Sequence, residues 1–223
     1  MLYVIIKNYT IVKSMLSNIL YSFVSHKSVL KDDTLTIIDM CDNLNIDNYL
    51  IVCGGFEKDE FVGHTLYLNC NDTYEGLSDK THKLFSYVSK NYPNFDYYAK
   101  LDRLIRIRQP LPKSEMSGDY CGSWVKVKDG FDGNRKWHFG KCSAGSEWSN
   151  KLYPGKFIPW CNGAAGYFLS PKAANIISKH PPRLDYHLYE DLYVSEMLLT
   201  YGSIAPRHMK NLKKYIYDSE FEE

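Results

Sequence analysis

The chain predicts an α/β layer protein built around a largely parallel sheet. Over the first hundred residues, short apolar runs rich in β-branched and aromatic residues alternate with segments of helical period. The runs end in glycine or polar breaks, as Tyr49–Cys53 does in Gly54-Gly55. At 223 residues the chain can also bury an apolar core without disulfide or metal staples.

In order, residues 2–6 are a β-branched run closed by a polar break and read as a strand. Residues 10–24 place Ile11, Met15, Leu16, Ile19, Leu20 and Phe23 at helical spacing and read as a helix. Residues 49–53 and 64–68 read as strands, 77–91 as an amphipathic helix and 97–101 as a buried strand. Residues 109–152 are rich in Gly, Ser, Lys and Trp, with short strand-like pieces at 123–127 and 136–139. They predict a hairpin-and-loop surface beside the main sheet. Order resumes at Trp160, where CNGAAGYFLS reads as a glycine-rich turn into a strand and Pro171 opens a helix through Ile177. A last helix spans about 189–201, and the charged tail from 210 predicts mobility at its end. No repeat, low-complexity tract or linker interrupts the chain, which reads as one domain.

Composition excludes several classes. Lys and Arg total 27 against 26 Asp and Glu, a formal charge of +1, so no broad electrostatic footprint for nucleic acid or an anionic membrane exists. Aromatic residues make up 15% of the chain, 19 of them Tyr, a surplus compatible with stacking on sugar rings. The six cysteines form no C-x-x-C pair and have no histidine at zinc-finger spacing, so they read as reduced, semi-buried thiols. The longest uncharged run near the N-terminus, residues 14–26, falls short of the roughly 20 apolar residues of a membrane helix. A soluble, cytoplasmic protein is the resulting expectation.

Asp102 stands where the strand YYAKLD runs out, the position from which an α/β sheet presents a polar group to a ligand. It reads either as a turn cap or as a metal or nucleotide contact. Arg103, Arg106 and Arg108 follow, with forks suited to phosphate oxygens or to solvent. Glu190 and Asp191 open a helix, where carboxylates complement the helix dipole or act as a general base. Neighbours diverge by about 100° around the axis, so only one can face a given cleft. His208 reads as a loop histidine or a metal ligand. The segment from Gly163 to Tyr167 lacks both the dinucleotide-loop and P-loop patterns, and its small residues suit close approach of a substrate to the backbone.

Taken in order, these segments resemble the inverting β-1,3-glycosyltransferases of the galactosyltransferase and core-1-synthase group over about residues 49–206. The motifs are DTYEGLSDKT at 72–81, similar to the family's D-S-Y-x-N-L-T-x-K-T, and YYAKLD at 97–102, similar to the strand entering its K-x-D-D-D. RKWHF at 135–139 and YPGKFIPWCNGAAGYFLSPKAA at 153–174 resemble its K-W…Y-P…G-G-A-G-Y-V-L-S block, and YEDLYVSEML at 189–198 its E-D-L/V-x-x-G segment. The resemblance implies the GT-A nucleotide-sugar transferase fold: a single Rossmann-like domain with a mixed, mostly parallel sheet flanked by helices. Residues 1–108 would be its nucleotide-binding half and 109–223 its acceptor and catalytic half. It implies a UDP-sugar donor, a glycan acceptor and Asp191, beside Glu190, as the base that takes the acceptor's proton. Lys7, Asn8, Lys80, Asp102 and Arg103 would contact the nucleotide sugar, with Trp160, Gly166 and Tyr167 forming a wall for the sugars.

One departure stands out. Where the family carries K-x-D-D-D, this chain has Lys100-Leu101-Asp102-Arg103-Leu104, so two carboxylates are missing. Asp102 with His208 would make a poor site for the family's Mn²⁺, since hard cations prefer several oxygen ligands. Two expectations follow. In the first, Arg103, with Arg106 or Lys80, stands in for the metal at the diphosphate of an active transferase. In the second, the chain is a catalytically silent module that binds a glycan or nucleotide sugar. Without an apparent anchor, and with the composition of an AT-rich genome, a bacterial or large-virus protein, or a clipped form of an anchored one, is expected.

Overall fold

The computed structural model describes residues 17–128 and 131–220. Strands β1 (Ile19–Val24), β2 (Tyr49–Cys53), β3 (Glu60–Val62), β4 (Thr65–Tyr67), β5 (Tyr97–Asp102), β7 (Tyr120–Gly122), β10 (Tyr167–Leu169) and β11 (Arg207–His208) form one sheet. Its order is β11-β7-β10-β5-β1-β2-β4-β3. The pairs β1/β2, β1/β5, β2/β4 and β7/β11 are parallel and β3/β4, β5/β10 and β7/β10 antiparallel, so the sheet is mixed with a parallel centre. Two short antiparallel pairs lie beside it, β6 (Ile105–Ile107) with β12 (Ile216–Asp218) and β8 (Trp124–Val125) with β9 (Trp160–Cys161). Among the described residues four helices flank the sheet: α1 (Leu30–Asn43), α2 (Leu77–Asn91), α3 (Pro171–Lys179) and α4 (Glu190–Gly202).

Side chains alternate across each strand and divide the core in two. Leu20, Val24, Leu50, Val52 and Tyr98 face Leu84, Phe85 and Val88 of α2, Ala173 and Ile177 of α3 and Leu198 of α4. Ile19, Tyr21, Phe23, Ile51 and Leu101 face Ile37 and Cys41 of α1 and the returning chain at Met209, Leu212 and Ile216. The result is an α/β/α sandwich. Ser170 caps α3 by accepting the Ala173 N–H, and Pro171 follows at its first position.

The helix expected over 10–24 is corrected: residues 19–24 are the central strand β1, residues 17–18 before it are irregular, and residues 10–16, like the strand at 2–6, lie outside the described residues. Every side chain of β1 is buried because strands flank it on both sides and helices cover both faces. Such a strand loses the two-residue alternation and reads like a buried helix. The strand-like piece at 136–139 is a series of turns. Part of the tail is ordered: residues 216–218 pair with β6 through Ile216–Ile107 and Asp218–Ile105.

The aromatic surplus is largely structural. A third cluster packs Trp148, Tyr153, Leu188, Tyr189 and Leu192 with the half-buried Tyr74, Phe157 and Trp160 under the 131–160 loop. All six cysteines are free. Among the described residues no helix is long and apolar enough to cross a membrane.

Candidate active site

The strand order reverses at β1: the chain places β2 on one side and returns to place β5 on the other. In open α/β sheets the crevice outside the carboxyl ends at such a switch point takes the ligand. Here those ends present Ser25 and Asp102. Behind them lies an ion-paired scaffold. Asp33 of α1 accepts from Ser25 Oγ at 2.5 Å and from Arg103 Nη1 at 3.1 Å. Asp72 accepts from Lys80 Nζ at 2.5 Å, from the Gly54 N–H at 2.9 Å and from the Lys27 N–H at 2.6 Å. Lys80 also donates to the Ser25 carbonyl at 3.1 Å, so this one lysine joins the ends of β1 and β2.

On the other side of β5, the start of α4 brings two carboxylates to β10. Glu190 points inward: it is buried, accepts the Tyr167 hydroxyl and lies 3.3 Å from the ammonium of buried Lys100, which also donates to the Gly163 carbonyl at 3.2 Å. Asp191, one position on, is only half-buried and accepts from the Gly163 N–H at 3.3 Å and the Leu192 N–H at 2.9 Å. Burial first, and then the negative charge of Glu190, push the Asp191 carboxyl up to about 6, against the opposing pull of Lys100 and the two N–H donors. That is the range in which a carboxylate serves as a base near neutral pH. Gly163 is required by this packing, since a Cβ there would stand 2.8 Å from Glu190 Oε2.

The 162–165 loop that Asp191 holds also lines a cleft of about 620 Å³. Ala164 and Ala165 line it together with Arg108, His208, Lys210 and Lys213, and among the described residues Asp218 is the one carboxylate in its lining. Arg108 stacks over the Tyr217 ring at 4.1 Å.

The structure therefore brings Asp191 and Glu190 together with Lys100, Gly163 and Tyr167, but distributes the other expected residues differently. Lys80 and Arg103 are engaged with Asp72 and Asp33. Asp102 accepts the Leu104 N–H at 3.3 Å across its turn. His208 lies on exposed β11, its Nδ1 accepting the Trp124 N–H at 3.3 Å. Among the described residues no group of three His, Cys, Asp or Glu side chains is placed to hold a metal ion, and Asp102 and His208 each already accept an N–H. Trp160 is half-buried, 6.1 Å from the Phe157 ring. Lys7 and Asn8 lie outside the described residues.

Two members of the expected sugar wall are corrected. Tyr167 is fully buried, its hydroxyl committed to Glu190, and cannot offer a face to a sugar. Gly166 has φ +80° and faces the core, where a Cβ would stand 2.6 Å from Leu101 Cδ2. Sequence reasoning passed over Lys100, Asp33, Asp72, Lys210 and Lys213. Lys100 did carry a signal: a lysine inside an apolar strand requires a buried counter-charge.

Comparison with known proteins gives three findings. The family model described as galactosyltransferase matches residues 57–210. No curated protein matches the chain. Among solved structures, similarity extends to a Bacillus anthracis protein assigned as a glucose-1-phosphate thymidylyltransferase, in complex with sucrose, at 11% identity and a TM-score of 0.43 over 90% of this chain and 89% of that one. It extends also to the galactosyltransferase LgtC in complex with donor and acceptor sugar analogs, at 11% identity and a TM-score of 0.36 over 87% of this chain and 69% of that one.

Proposed function

This chain belongs to the galactosyltransferase family, and on that premise we propose that it moves a hexose from a nucleotide sugar, with UDP as the expected nucleotide, to a hydroxyl of a glycan with inversion. The observation that carries this reading is Asp191, a half-buried carboxylate held up to about 6 beside the loop that lines the cleft. The acceptor oxygen attacks the anomeric carbon while its proton passes to an Asp191 carboxylate oxygen. The bond from that carbon to the diphosphate breaks, and the nucleoside diphosphate leaves with the electron pair. A single displacement of this kind inverts the anomeric centre. Gly163 fixes the carboxylate's orientation through its N–H, and Glu190 serves through Lys100 and Tyr167 as a positioning residue. Trp160 supplies the remaining aromatic face of the sugar wall.

The test is release of UDP from UDP-hexoses in the presence of saccharide acceptors, with the product's anomeric configuration read by NMR. Inversion, and a loss of roughly 10²–10⁴-fold in turnover on Asp191→Asn, are expected. Retention of configuration or an active variant overturns the assignment. The engagement of both Arg103 and Lys80 in ion pairs favours a second reading, a module that binds a glycan or nucleotide sugar without transfer. Ligand binding with no product from any donor would select it.

A further inference from the structure

We infer that the C-terminal cleft binds the donor's diphosphate through the chain's own cations, Lys210 and Lys213 with the ring N–H of His208, and that no divalent metal is required there. The inference rests on the nucleotide-sugar reading above and concerns how that donor is held. Three observations carry it.

The first is the chemistry at the end of β5. Asp102 is followed by Arg103 and Leu104; the arginine is tied to Asp33 at 3.1 Å and Asp102 caps its own turn. Asp102 is thus a single carboxylate at the strand end with an oxygen already accepting an N–H, and no three-residue donor group exists among the described residues. Arg103, tied as it is, is also not the cation that faces the diphosphate.

The second is the tautomer of His208. Neutral imidazole has one lone-pair nitrogen, and Nδ1 spends it on the Trp124 N–H at 3.3 Å. Nε2 then carries the proton, so the ring offers the cleft a donor, which suits a phosphate oxygen and not a metal ion.

The third is the cleft's charge and size. Lys210 and Lys213 form no ion pair among the described residues, and both line the cleft, where Asp218 is the one carboxylate among the described residues. Its volume, about 620 Å³, lies within the roughly 300–1,000 Å³ of small-ligand sites. Ala164 and Ala165 also line the cleft, next to Gly163 and hence to Asp191. A diphosphate on the lysines would thus leave its sugar beside the base, and charge developing on the leaving oxygens would meet fixed cations.

Calorimetric titration of UDP, GDP and uridine into the full chain, with Mn²⁺ or with EDTA, tests this. The expected result is UDP or GDP binding in EDTA, changed less than about threefold by Mn²⁺. In Lys210→Ala/Lys213→Ala the affinity should fall roughly tenfold to hundredfold in both conditions, as loss of two charge-assisted contacts implies. Uridine binding should not change. Both lysines are exposed, so the variant should fold, and its melting temperature checks this. Binding that requires Mn²⁺, or unchanged affinity in the double variant, overturns the inference while leaving the transferase reading intact. If neither nucleotide binds in either condition, the nucleotide-sugar reading falls and this inference with it.

Discussion

Replacing Asp191 with asparagine should make the protein more stable and less active, and the gain in stability should appear only above about pH 4. The carboxyl moves from an ordinary 3.8 to about 6 on folding because burial and the Glu190 charge disfavour ionisation. Between those values the folded chain holds a proton that the unfolded chain has lost, so stability falls as pH rises through that window and the full penalty applies above about 6. At about 1.4 kcal/mol per pH unit the interval caps the penalty near 3 kcal/mol, and residual solvent contact of the half-buried side chain brings the expectation to about 1–3 kcal/mol. Asparagine removes the charge but keeps only one oxygen, so of the Gly163 N–H on Oδ2 and the Leu192 N–H on Oδ1 one loses its acceptor, which takes the expectation to the lower part of that range. For a chain of this length the gain corresponds to about 2–10 °C in Tm at pH 8 and to nothing below pH 4. Thermal melts of both proteins from pH 3.5 to 8 read it directly. In the same window the wild-type kcat/KM should rise about tenfold per pH unit and level off above about 6, as expected of an essential base. A variant no more stable at pH 8 than the wild type, or a stability difference independent of pH, would refute the account of Asp191.

The neighbouring carboxylate should behave oppositely. Glu190→Gln strands the ammonium of Lys100 in the core and should cost about 3–5 kcal/mol in denaturant unfolding; a neutral result would show that the pair is not the buried clamp described. Gly166→Ala combines a φ of +80° with a 2.6 Å approach to Leu101 Cδ2, and a loss of about 1–3 kcal/mol is expected, measurable as a lower Tm. Gly163→Ala pushes a methyl to 2.8 Å from Glu190 Oε2; it should lower both Tm and turnover, since the same shift moves Asp191, and an unchanged kcat would separate the loop from the base.

Much of the architecture was legible because its elements bury one face. Helix α2 spans Leu77–Asn91 as its amphipathic pattern predicts, and Pro171 and the Glu190 region mark α3 and α4 to within two residues. β1 was misread for the opposite reason: with strands on both sides and core on both faces it keeps no periodicity. β7 went unnoticed inside a loop-like stretch because three residues, Tyr120–Gly122, suffice when the partner strand supplies the register.

The sequence by itself determined the fold class, the strands near 49–53 and 97–101 with the helix over 77–91 between them, and the pair of carboxylates at the head of the last helix, since local pattern and short motifs carry all three. Tertiary structure alone decided which of the two carboxylates is buried and which stays half-exposed. Glu190 and Asp191 are adjacent in the chain, yet Lys100, Tyr167 and Gly163, drawn from β5, β10 and the loop before it, bury the first and leave the second half-exposed, bonded to the loop that lines the cleft. It likewise drew Arg103 onto Asp33 and gathered Arg108, His208, Lys210 and Lys213 into one cleft. Burial and charge pairing depend on residues far apart in the chain, and they set both the proton affinity of a carboxylate and the direction in which a cation points.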